Sequence, residues 1–548
     1  MTIVISGDGL TIADIAAVGR GENIALTTDA RVLDRFRRSR DFIRRGVDAG
    51  QEIYGVTTLY GGMADQRVAP ELLVELQKVS LWHHKSTTGP RLPEADVRAA
   101  MLLRANSLIK GASGVRLELV ERLIAFLNAK AHPHVYQRGS IGASGDLVPL
   151  SYIAGAILGL DKGYLVDLGG ETLDAHATLT RLGYAPLTLE PKEGLALNNG
   201  TGACTGIAAN ACARAFDLMS LALAVHALLA QALLATDQSF QPFVHAVKPH
   251  PGQVWTAARM AELLAGSKII RNERRGDRRE RAGKLIQDRY SLRCLPQFLG
   301  PVIDTLAQVA RWIEIEANSA NDNPLIDPDS GEIFHTGNFL AQYTGVAMDQ
   351  LRYALGLMAK HLDVQIALVM SPEFSNGLSP SLVGDTTRGT NVGLKSLQIG
   401  GNSMAPLIGF YGQSIVDRFP THAEQFNQNI NSQAMNAANL ARDSLDVLEH
   451  YLSLALVCAV QAVELRAKLA ADTFDARAVL SPATAPLYNA ARTAALGAPD
   501  ASRPLHWEDL EGFIQPKIEG VMANVAGRGS VLQSIATVRE SLAAFAHG

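Results

Sequence analysis

Cysteine, aromatic residues and net charge are all scarce in this chain. The four cysteines among 548 residues form neither a Cys-x-x-Cys pair nor a zinc pattern, and their scarcity is typical of a reducing cytoplasm. A formal net charge of -4 is too close to zero to indicate a polyanionic partner. Aromatic residues make up only 6% of the chain while Ala and Leu are abundant, which favours packed helices over sheets.

The chain also lacks clear targeting and membrane signals. Residues 1–6 are apolar and strand-like without a basic leader, so they do not resemble a signal peptide. Residues 218–236 are apolar for nearly the length of a membrane span, but Ser220, His226 and Gln231 interrupt them. This pattern predicts a buried helix, and we expect a cytoplasmic protein with no membrane partner.

One stretch, residues 268–284, is strongly basic. Glu273, Asp277 and Glu280 interrupt its lysines and arginines, so the pattern favours a solvated loop over a nucleic-acid site.

Helical patterning dominates the rest of the chain. With 47% hydrophobic and only 19% charged residues, the chain can bury a large core in two or three domains. Apolar residues recur at three- and four-residue steps in two places, namely Ile303, Leu306, Ala310, Ile313 and Ala317, and Leu445, Leu448, Leu452, Ala455 and Ala459. Residues 452–463 are apolar on nearly every face, which predicts a helix buried all round. The fold class is therefore predicted to be mainly α, a bundle of long helices.

Domain boundaries are expected near residue 200 and near residues 472–476. They give an N-terminal mixed domain over residues 1–200, a central helical bundle over 201–472 and a C-terminal helical tail over 473–548. The tail contains four prolines in its first 32 positions, a composition unsuited to a long central helix.

The loop Gly142-Ala143-Ser144-Gly145-Asp146 holds the most informative residues of the chain. In a tight bend the amide nitrogen of Gly145 can attack the carbonyl carbon of Ala143, and glycine allows this approach at the least steric cost. Loss of water closes an imidazolone ring, and loss of the Ser144 hydroxyl as a second water leaves a methylidene group. The product is an electrophile that no standard side chain supplies.

Two more ordinary interpretations compete with cyclisation. Gly/Ser clusters are usually turns, and a second Gly-Ala-Ser-Gly at 111–114 precedes an amphipathic run, where Ser113 is predicted to cap a helix. A serine-hydrolase elbow fits poorly, because that motif needs glycine two positions after the serine and this chain has Asp146 there.

Five further segments support the formation of this electrophile. They are Tyr54-Gly55-Val56-Thr57-Thr58-Leu59-Tyr60-Gly61-Gly62, Asn198-Asn199-Gly200-Thr201, Gln287-Asp288-Arg289-Tyr290-Ser291-Leu292-Arg293-Cys294, Asn321-Asp322-Asn323-Pro324 and Glu424-Gln425-Phe426-Asn427-Gln428-Asn429. In this order, over nearly the whole chain, they resemble the aromatic amino acid ammonia-lyases and their relatives, histidine ammonia-lyase and the aminomutases. The resemblance is strongest to bacterial and cyanobacterial phenylalanine and tyrosine ammonia-lyases.

The resemblance implies a carbon–nitrogen lyase that carries its own prosthetic group. A 4-methylidene-imidazol-5-one would form autocatalytically from Ala143, Ser144 and Gly145, in a loop of the N-terminal domain, and no metal or diffusible cofactor would be needed. The resemblance also implies a homotetramer with long central helices like those of fumarase and aspartase. Its active sites would be shared between subunits.

Three residues are candidates for proton transfer and carboxylate binding. Tyr54 is the candidate base for the β-proton; tyrosine has an ordinary pKa of about 10, so it needs a cationic or hydrogen-bonded setting. Arg293 is the candidate for the substrate carboxylate, because a guanidinium can bind a carboxylate through two hydrogen bonds. Tyr290, three residues earlier, would share a helix face with Arg293, and by resemblance assists at the reacting centre.

The resemblance alone supplies the remaining assignments. Asn199 and Gln287 would hydrogen-bond the imidazolone or the amine, and Asn323 would share the carboxylate with Arg293. Phe339 would pack near the prosthetic ring, Leu195 would contact the substrate, and Glu424 and Gln428 would line the amine side.

Substrate choice depends on Leu81-Trp82-His83-His84-Lys85. In the resembling family, tyrosine-preferring members tend to have histidine where His83 stands, because an imidazole can hydrogen-bond a phenol. His84 stands where leucine is usual, Asn198 replaces an apolar residue, and Ser80 is small and polar, so we expect a wider and more polar pocket. L-Tyrosine is the predicted substrate and trans-4-hydroxycinnamate (p-coumarate) the product, with DOPA and other ring-substituted arylalanines as further candidates.

Alternatives remain open from the sequence. They are a phenylalanine-preferring lyase, a tyrosine 2,3-aminomutase and a non-enzymatic helical scaffold with a degenerate loop. Histidine ammonia-lyase is disfavoured, since that branch has glutamate near the position of Gln428.

Overall fold

Helices form most of the chain in the computed structural model, which describes residues 2–271, 287–418 and 422–547. The helices are α1 Ile12–Gly19, α2 Ala30–Asp48, α3 Leu73–His83, α4 Glu94–Ile109, α5 Leu117–Asn128, α6 Leu147–Leu158, α7 Ala175–Leu182, α8 Glu193–Asn198, α9 Gly202–Ala232, α10 Pro242–Ala246, α11 Pro251–Leu264, α12 Tyr290–Arg293, α13 Leu295–Ala317, α14 Gln342–Met370, α15 Lys395–Tyr411, α16 Ala434–Ala471, α17 Ala485–Ala495, α18 Gln515–Ala526, α19 Ser530–Gln533 and α20 Ala536–His547. The predicted mainly-α class is confirmed.

The strands are short. They are β1 Ile3–Ile5, β2 Ile24–Leu26, β3 His132–Pro133, β4 Leu165–Leu168, β5 Glu171–Asp174, β6 Leu325–Asp327 and β7 Glu332–Phe334. β1 pairs in parallel with β2, with Ile3 opposite Ile24, while β3, β4 and β5 form an antiparallel sheet. β6 and β7 form an antiparallel hairpin with Leu325 opposite Phe334.

The chain divides into two compact units, each built from separate segments. Unit 1 contains residues 1–213, 309–349 and 414–442, and unit 2 contains residues 214–308, 350–413 and 443–548. All the strands named above belong to unit 1. The division of the chain into three contiguous domains, 1–200, 201–472 and 473–548, remains a prediction.

The long-helix patterns found in the sequence correspond to buried faces. Ile303 and Ile313 of α13 are 4% and 0% exposed, and Leu445 and Ala459 of α16 are fully buried. Residues 452–463 are buried on every face, as predicted. The helices α9, α13, α14 and α16 have 31, 23, 29 and 38 residues, lengths that only a large core can bury.

Two local predictions need correction. The apolar run predicted as a helix over 218–236 belongs to α9, which begins earlier and ends at Ala232. α9 is long and apolar enough to cross a membrane, but 94% of its most apolar window is buried inside the protein, as in a core helix. Ser113 does not cap α5, whose N-cap is Arg116; the Ser113 hydroxyl is buried and has no hydrogen-bond partner among the described residues.

The predicted basic loop lies largely outside the described residues. Of the stretch 268–284, the structure describes residues 268–271, where Arg271 Nη2 lies 2.7 Å from Asp288 Oδ1.

Three helices of unit 1, α3, α6 and α8, pack against one another and position the site. Gln77 of α3 is fully buried, and its Oε1 accepts hydrogen bonds from Gly194 N at 3.1 Å and Leu195 N at 3.2 Å. Its Nε2 donates to the Gly55 carbonyl at 3.0 Å. One glutamine therefore ties the start of α8 and the Tyr54 loop to α3.

Candidate active site

A cavity of about 520 Å³ lies within unit 1, where loops from distant parts of the sequence converge. Its wall is formed by Tyr54, Leu59, Tyr60, Gly61, Met63, Leu76, Val79, Ser80, His83, His84, Ser144, Leu147, Leu195, Asn199, Asn323, His335, Thr336, Phe339, Glu424, Asn427 and Gln428. Ten of these residues were predicted from the sequence as catalytic or substrate-binding, and the volume suits a small organic ligand.

Tyr54 stands half-buried in the wall, in the loop before α3. Its hydroxyl oxygen accepts a hydrogen bond from Gly61 N at 2.9 Å, and its ring meets the Tyr60 ring edge-on at 6.4 Å between centroids. Burial raises the pKa of Tyr54, the hydrogen bond from Gly61 opposes this, and the charge of Glu424 adds to the rise. The predicted hydrogen bond is present, but burial outweighs it and the pKa of the phenol lies above its ordinary value.

The Ser144 loop leads directly into α6 and is held by Gly200 on one side. Gly145 has a φ of +66°, and a Cβ there would lie closer than 3.0 Å to the Gly200 carbonyl oxygen. Asp146 N donates to that same oxygen at 2.7 Å. Only glycine fits both this backbone conformation and this contact.

A second segment holds the loop from the opposite side. Ser432 Oγ donates to the Gly142 carbonyl at 2.9 Å, and Gly142 has a φ of +67°. Gln433 N donates to the Ile141 carbonyl at 3.1 Å. The bend over 142–145 is thus fixed by contacts with residues far away in sequence, none of which a local pattern had indicated.

Asp146 anchors the end of the loop. The side chain is fully buried, and its two carboxylate oxygens accept from Cys204 N at 2.7 Å and Ser140 Oγ at 2.9 Å. Burial raises the pKa of Asp146 despite these bonds.

The loop geometry fits the prosthetic group that the sequence implies. Ser144 reaches the cavity and its Oγ accepts from Gln428 Nε2 at 2.9 Å, whereas Ala143 and Gly145 lie buried behind it. The bend is tight, positive φ values occur on glycine alone within it, and the one side chain that would be modified faces the ligand space. These are the features that a self-cyclising tripeptide requires.

One part of the cavity wall comes from the end of α3. His83 and His84 meet edge-on with ring centroids 5.1 Å apart. His84 Nδ1 lies 2.6 Å from the Ser80 carbonyl, so Nδ1 is the protonated nitrogen and Nε2 is the acceptor. Burial lowers the pKa of His84, which favours this neutral form.

Asn198 does not make the cavity itself more polar, contrary to expectation. Its side chain is fully buried outside the lining, where Nδ2 donates to Ser80 Oγ at 3.3 Å and Ser151 Oγ at 3.2 Å. Its polar groups make contacts between α8, α3 and α6. Of the three residues expected to make the pocket more polar, His84 and Ser80 line the cavity and Asn198 does not.

Asn199 and Asn323 form another part of the wall, the amide wall. Asn199 Nδ2 donates to the Asn323 carbonyl at 3.1 Å, and Asn323 Oδ1 accepts from Thr336 N at 2.7 Å. His335 Nε2 accepts from Tyr54 N at 3.3 Å. His335 and Thr336 were not predicted, because only the fold brings the hairpin of β6 and β7 next to the Tyr54 loop.

Three predicted residues, Gln287, Tyr290 and Arg293, belong to unit 2 and do not line this cavity. The Tyr290 side chain is exposed, and Arg293 Cζ lies 4.6 Å from the centre of its ring, so the predicted shared face on α12 is present. Arg293 Nε is buried without a hydrogen-bond partner in the described part of the chain.

Among the described residues no three His, Cys, Asp or Glu side chains are grouped so that they could hold a metal ion.

Comparisons with known proteins give consistent matches to one family. The sequence model of the aromatic amino acid lyase family matches residues 10–493. An aromatic ammonia-lyase of Loktanella atrilutea is 64% identical over 546 residues, covering 100% of both chains, and a phenylalanine ammonia-lyase of Nostoc punctiforme is 53% identical over 99% of this chain and 95% of its own. The solved tyrosine aminomutase of Streptomyces globisporus superimposes with a TM-score of 0.86 at 30% identity, over 98% of this chain and 99% of that one.

Proposed function

Because this chain belongs to the aromatic amino acid lyase family, and is therefore a carbon–nitrogen lyase, we propose that its reaction is the elimination of ammonia from L-tyrosine to give trans-4-hydroxycinnamate. The observation that carries the tyrosine assignment is the pair His83 and His84 in the wall of the cavity. A buried phenol needs a partner, and leaving it without one costs about 1–3 kcal/mol.

We propose that Ala143, Ser144 and Gly145 form the 4-methylidene-imidazol-5-one. When formed, the group supplies an electrophile that makes the departure of ammonia easier. The chain's own part is to hold the bend through Gly200 and Ser432 and to leave the Ser144 position open to the cavity.

Tyr54 is the proposed base for the β-proton. Since burial raises its pKa, the phenol needs a cation close by before it can take a proton near neutral pH. Arg293, with Tyr290 stacked against it, is the cation we assign to the working site. As the family resemblance implies, another subunit of a homotetramer would contribute these residues together with Gln287.

The polar wall is suited to the amino acid's two charged groups. We assign the substrate carboxylate to Arg293 and Asn323, and the amine side to Glu424 and Gln428, with Asn199 hydrogen-bonding at the centre. Leu195 and Phe339 supply apolar surface for the aromatic carbon skeleton.

The ring end is where substrates would be distinguished. His84 presents Nε2 as an acceptor, because Nδ1 donates to the Ser80 carbonyl. As the family resemblance implies, the phenol hydroxyl would be bound by His83, and the second hydroxyl of a catechol can donate to His84 Nε2. DOPA is thus a candidate alongside tyrosine.

The test is a rate comparison of phenylalanine, tyrosine, DOPA and histidine with the wild type, His83→Phe and His84→Leu. We expect tyrosine to exceed phenylalanine in the wild type, and His83→Phe to shift kcat/KM towards phenylalanine by about tenfold, since 1.4 kcal/mol is one decade. His84→Leu should lower the DOPA rate more than the phenylalanine rate, which serves as the internal control. An unchanged tyrosine preference in His83→Phe would remove the support for tyrosine, and no product from any arylalanine would reject the lyase.

Two other reactions of the family each have one observation in their favour. A relative named phenylalanine ammonia-lyase is 53% identical, which favours phenylalanine as the alternative substrate. The structural likeness to a tyrosine aminomutase favours return of the amine to the β-carbon. Chromatography for β-tyrosine separates the mutase from the lyase, because both reactions begin with the same elimination.

We also propose a cytoplasmic location. The four cysteines are free, and Cys204, Cys212 and Cys458 are buried, as in a protein kept in a reducing compartment.

A further inference from the structure

Behind the amide wall of the cavity lies an ion pair that no solvent reaches. Lys192 Nζ and Asp322 Oδ2 are 2.6 Å apart, and both side chains are 0% exposed. Neither residue lines the cavity. Lys192 precedes α8 with a φ of +81°, a left-handed conformation that a non-glycine residue adopts at a cost.

The other oxygen of Asp322 connects this pair to the cavity. Asp322 Oδ1 accepts from Asn323 N at 2.7 Å and from Asn199 Nδ2 at 3.5 Å. Asn199 Nδ2 also donates to the Asn323 carbonyl at 3.1 Å, while the Asn199 carbonyl accepts from the buried Arg104 at 3.0 Å. Asn199 is therefore held at both its main chain and its side chain.

The partners of Asn199 decide which way its amide faces. Both groups near Nδ2 are acceptors, so the NH2 group must face Asp322 and Asn323, and the amide oxygen must face away from them. That oxygen, Oδ1, is buried and has no hydrogen-bond partner among the described residues. A buried acceptor without a partner is unfavourable, and a hydrogen-bond donor from a ligand would relieve it.

Stability alone is a weak reason for the ion pair. Replacing a buried pair with apolar side chains of similar volume is often neutral or stabilising, whereas removing one partner leaves a buried charge uncompensated. Fixing the orientation of a residue in a ligand cavity is a second role that such a pair can have.

We propose that Lys192 and Asp322 are positioning residues that hold the Asn199 amide with its oxygen unpaired, ready to accept a hydrogen bond from the bound ligand. This rests on the proposed function, because Asn199 is one of its substrate-side residues. Lys192 acts through Asp322, and Asp322 acts through Asn199; neither touches substrate.

A double-mutant cycle tests the proposal. Lys192→Met is compared in the wild-type and Asn199→Ala backgrounds, with kcat and KM measured separately on the best arylalanine substrate. We expect Lys192→Met to lower kcat/KM at least tenfold in the wild-type background. In Asn199→Ala the same change should cost less than twofold, because the residue through which it acts is gone. An equal loss in both backgrounds would mean a general structural role and would overturn the proposal.

A neutral variant and a remote pair complete the design. Lys192→Met/Asp322→Asn removes both charges with little change in volume, which keeps the experiment possible if Lys192→Met alone does not fold. The double variant should fold and still show the same coupling to Asn199. Arg492→Met breaks the buried pair of Arg492 and Glu464, 3.0 Å apart in unit 2, and should lower the melting temperature while leaving the kcat/KM ratio between the two Asn199 backgrounds unchanged.

Binding of L-tyrosine in the Ser144→Ala background, where it is not turned over, separates this inference from the proposed reaction when it is measured by calorimetry, because L-tyrosine has the amine donor that trans-4-hydroxycinnamate lacks. If the wild type turns over no arylalanine, the proposed function fails, and the same cycle measured as Kd still tests the positioning. Two results would contradict the role of the pair. One is a Kd that shows no coupling between Lys192 and Asn199 while catalysis is normal. The other is a Lys192→Met variant in which neither Kd nor kcat/KM changes.

Discussion

Gly145 shows how much one residue without a side chain decides in this protein. Its φ of +66° and the closeness of the Gly200 carbonyl both require glycine, because a Cβ there would strain the backbone and clash with that carbonyl. The sequence identified Gly145 through the chemistry of its amide nitrogen, whereas the contact with Gly200 could come only from the fold.

We predict that Gly145→Ala abolishes the cyclisation. The wild-type protein should weigh two water molecules less than its sequence, and Gly145→Ala should have the full sequence mass and no lyase activity. Intact-mass spectrometry and a tyrosine turnover assay measure the two effects.

Gly169→Ala is the matched control. Gly169 also has a positive φ, +63°, but a Cβ there would meet nothing within 4 Å. Both variants therefore carry the backbone cost of about 1–2 kcal/mol for a left-handed residue, and only Gly145→Ala adds the clash. A Gly145→Ala protein that still lacks two waters would contradict the proposed role of this contact.

At the scale of the element, helix faces could be predicted and helix ends could not. The stripe containing Ile303 and Ile313 is buried because a 3.6-residue period directs those positions to one side of α13. Ser113 has the right chemistry for an N-cap, yet α5 starts after Arg116 and the Ser113 hydroxyl is buried. Tertiary packing overrides a local signal that is worth only about 1 kcal/mol.

Two long helices, α9 and α14, bury a chain of polar side chains within unit 2 that the sequence did not reveal. His361 Nδ1 of α14 lies 3.3 Å from His226 Nε2 of α9, and His226 Nδ1 donates to Gln365 Oε1. Gln365 Nε2 then donates to the Ser291 carbonyl at 2.8 Å, within the short helix of Tyr290 and Arg293. Burial lowers the pKa of His361 to about 4 and that of His226 well below its ordinary value.

These histidines should make the protein sensitive to mild acid. Their folded-state pKa lies below the unfolded value of about 6.5, so the unfolded chain takes up protons first as the pH falls. The stability they contribute is complete above about pH 6.5 and is lost towards pH 4. We predict that the apparent melting temperature falls less steeply between about pH 7 and pH 5 in His361→Phe than in the wild type.

The choice of phenylalanine keeps the site filled. The His361 ring already packs against Phe298 at 5.3 Å between centroids, so an apolar ring can replace it while one titrating group is removed. If the melting temperatures of the two proteins fall with the same slope across this pH range, His361 is not the titrating group.

For the whole molecule, the order of motifs predicted more of the site than any local pattern could. Tyr54, Ser144, Asn199, Asn323 and Glu424 lie far apart in the sequence and all line one cavity. Residues that serve the wall through long-range contacts, such as the buried Gln77, Lys192 and Ser432, carry no signature in their own neighbourhoods. Their partners lie on other segments, so only the folded chain reveals them.

Arg293 does not line that cavity, and this leads to a prediction about the assembly. Tyr54 lies in unit 1 and Arg293 in unit 2, and we propose that a tetramer supplies them to one active site from different subunits. Tyr54→Phe and Arg293→Ala should each be inactive alone. Co-expressed in equal amounts, they should form mixed oligomers in which about one quarter of the sites contain both wild-type residues. Purified mixed protein should then recover about one quarter of wild-type kcat.

Tyr54→Phe mixed with Ser144→Ala is the control for this recovery. Tyr54 and Ser144 line the same cavity of one chain, so exchange of subunits cannot bring an intact pair together. Activity in the first mixture and none in the second requires that residues of unit 2 act in a neighbouring subunit. Equal inactivity of both mixtures, with mixed oligomers demonstrated by native mass spectrometry, would mean that each chain completes its own site.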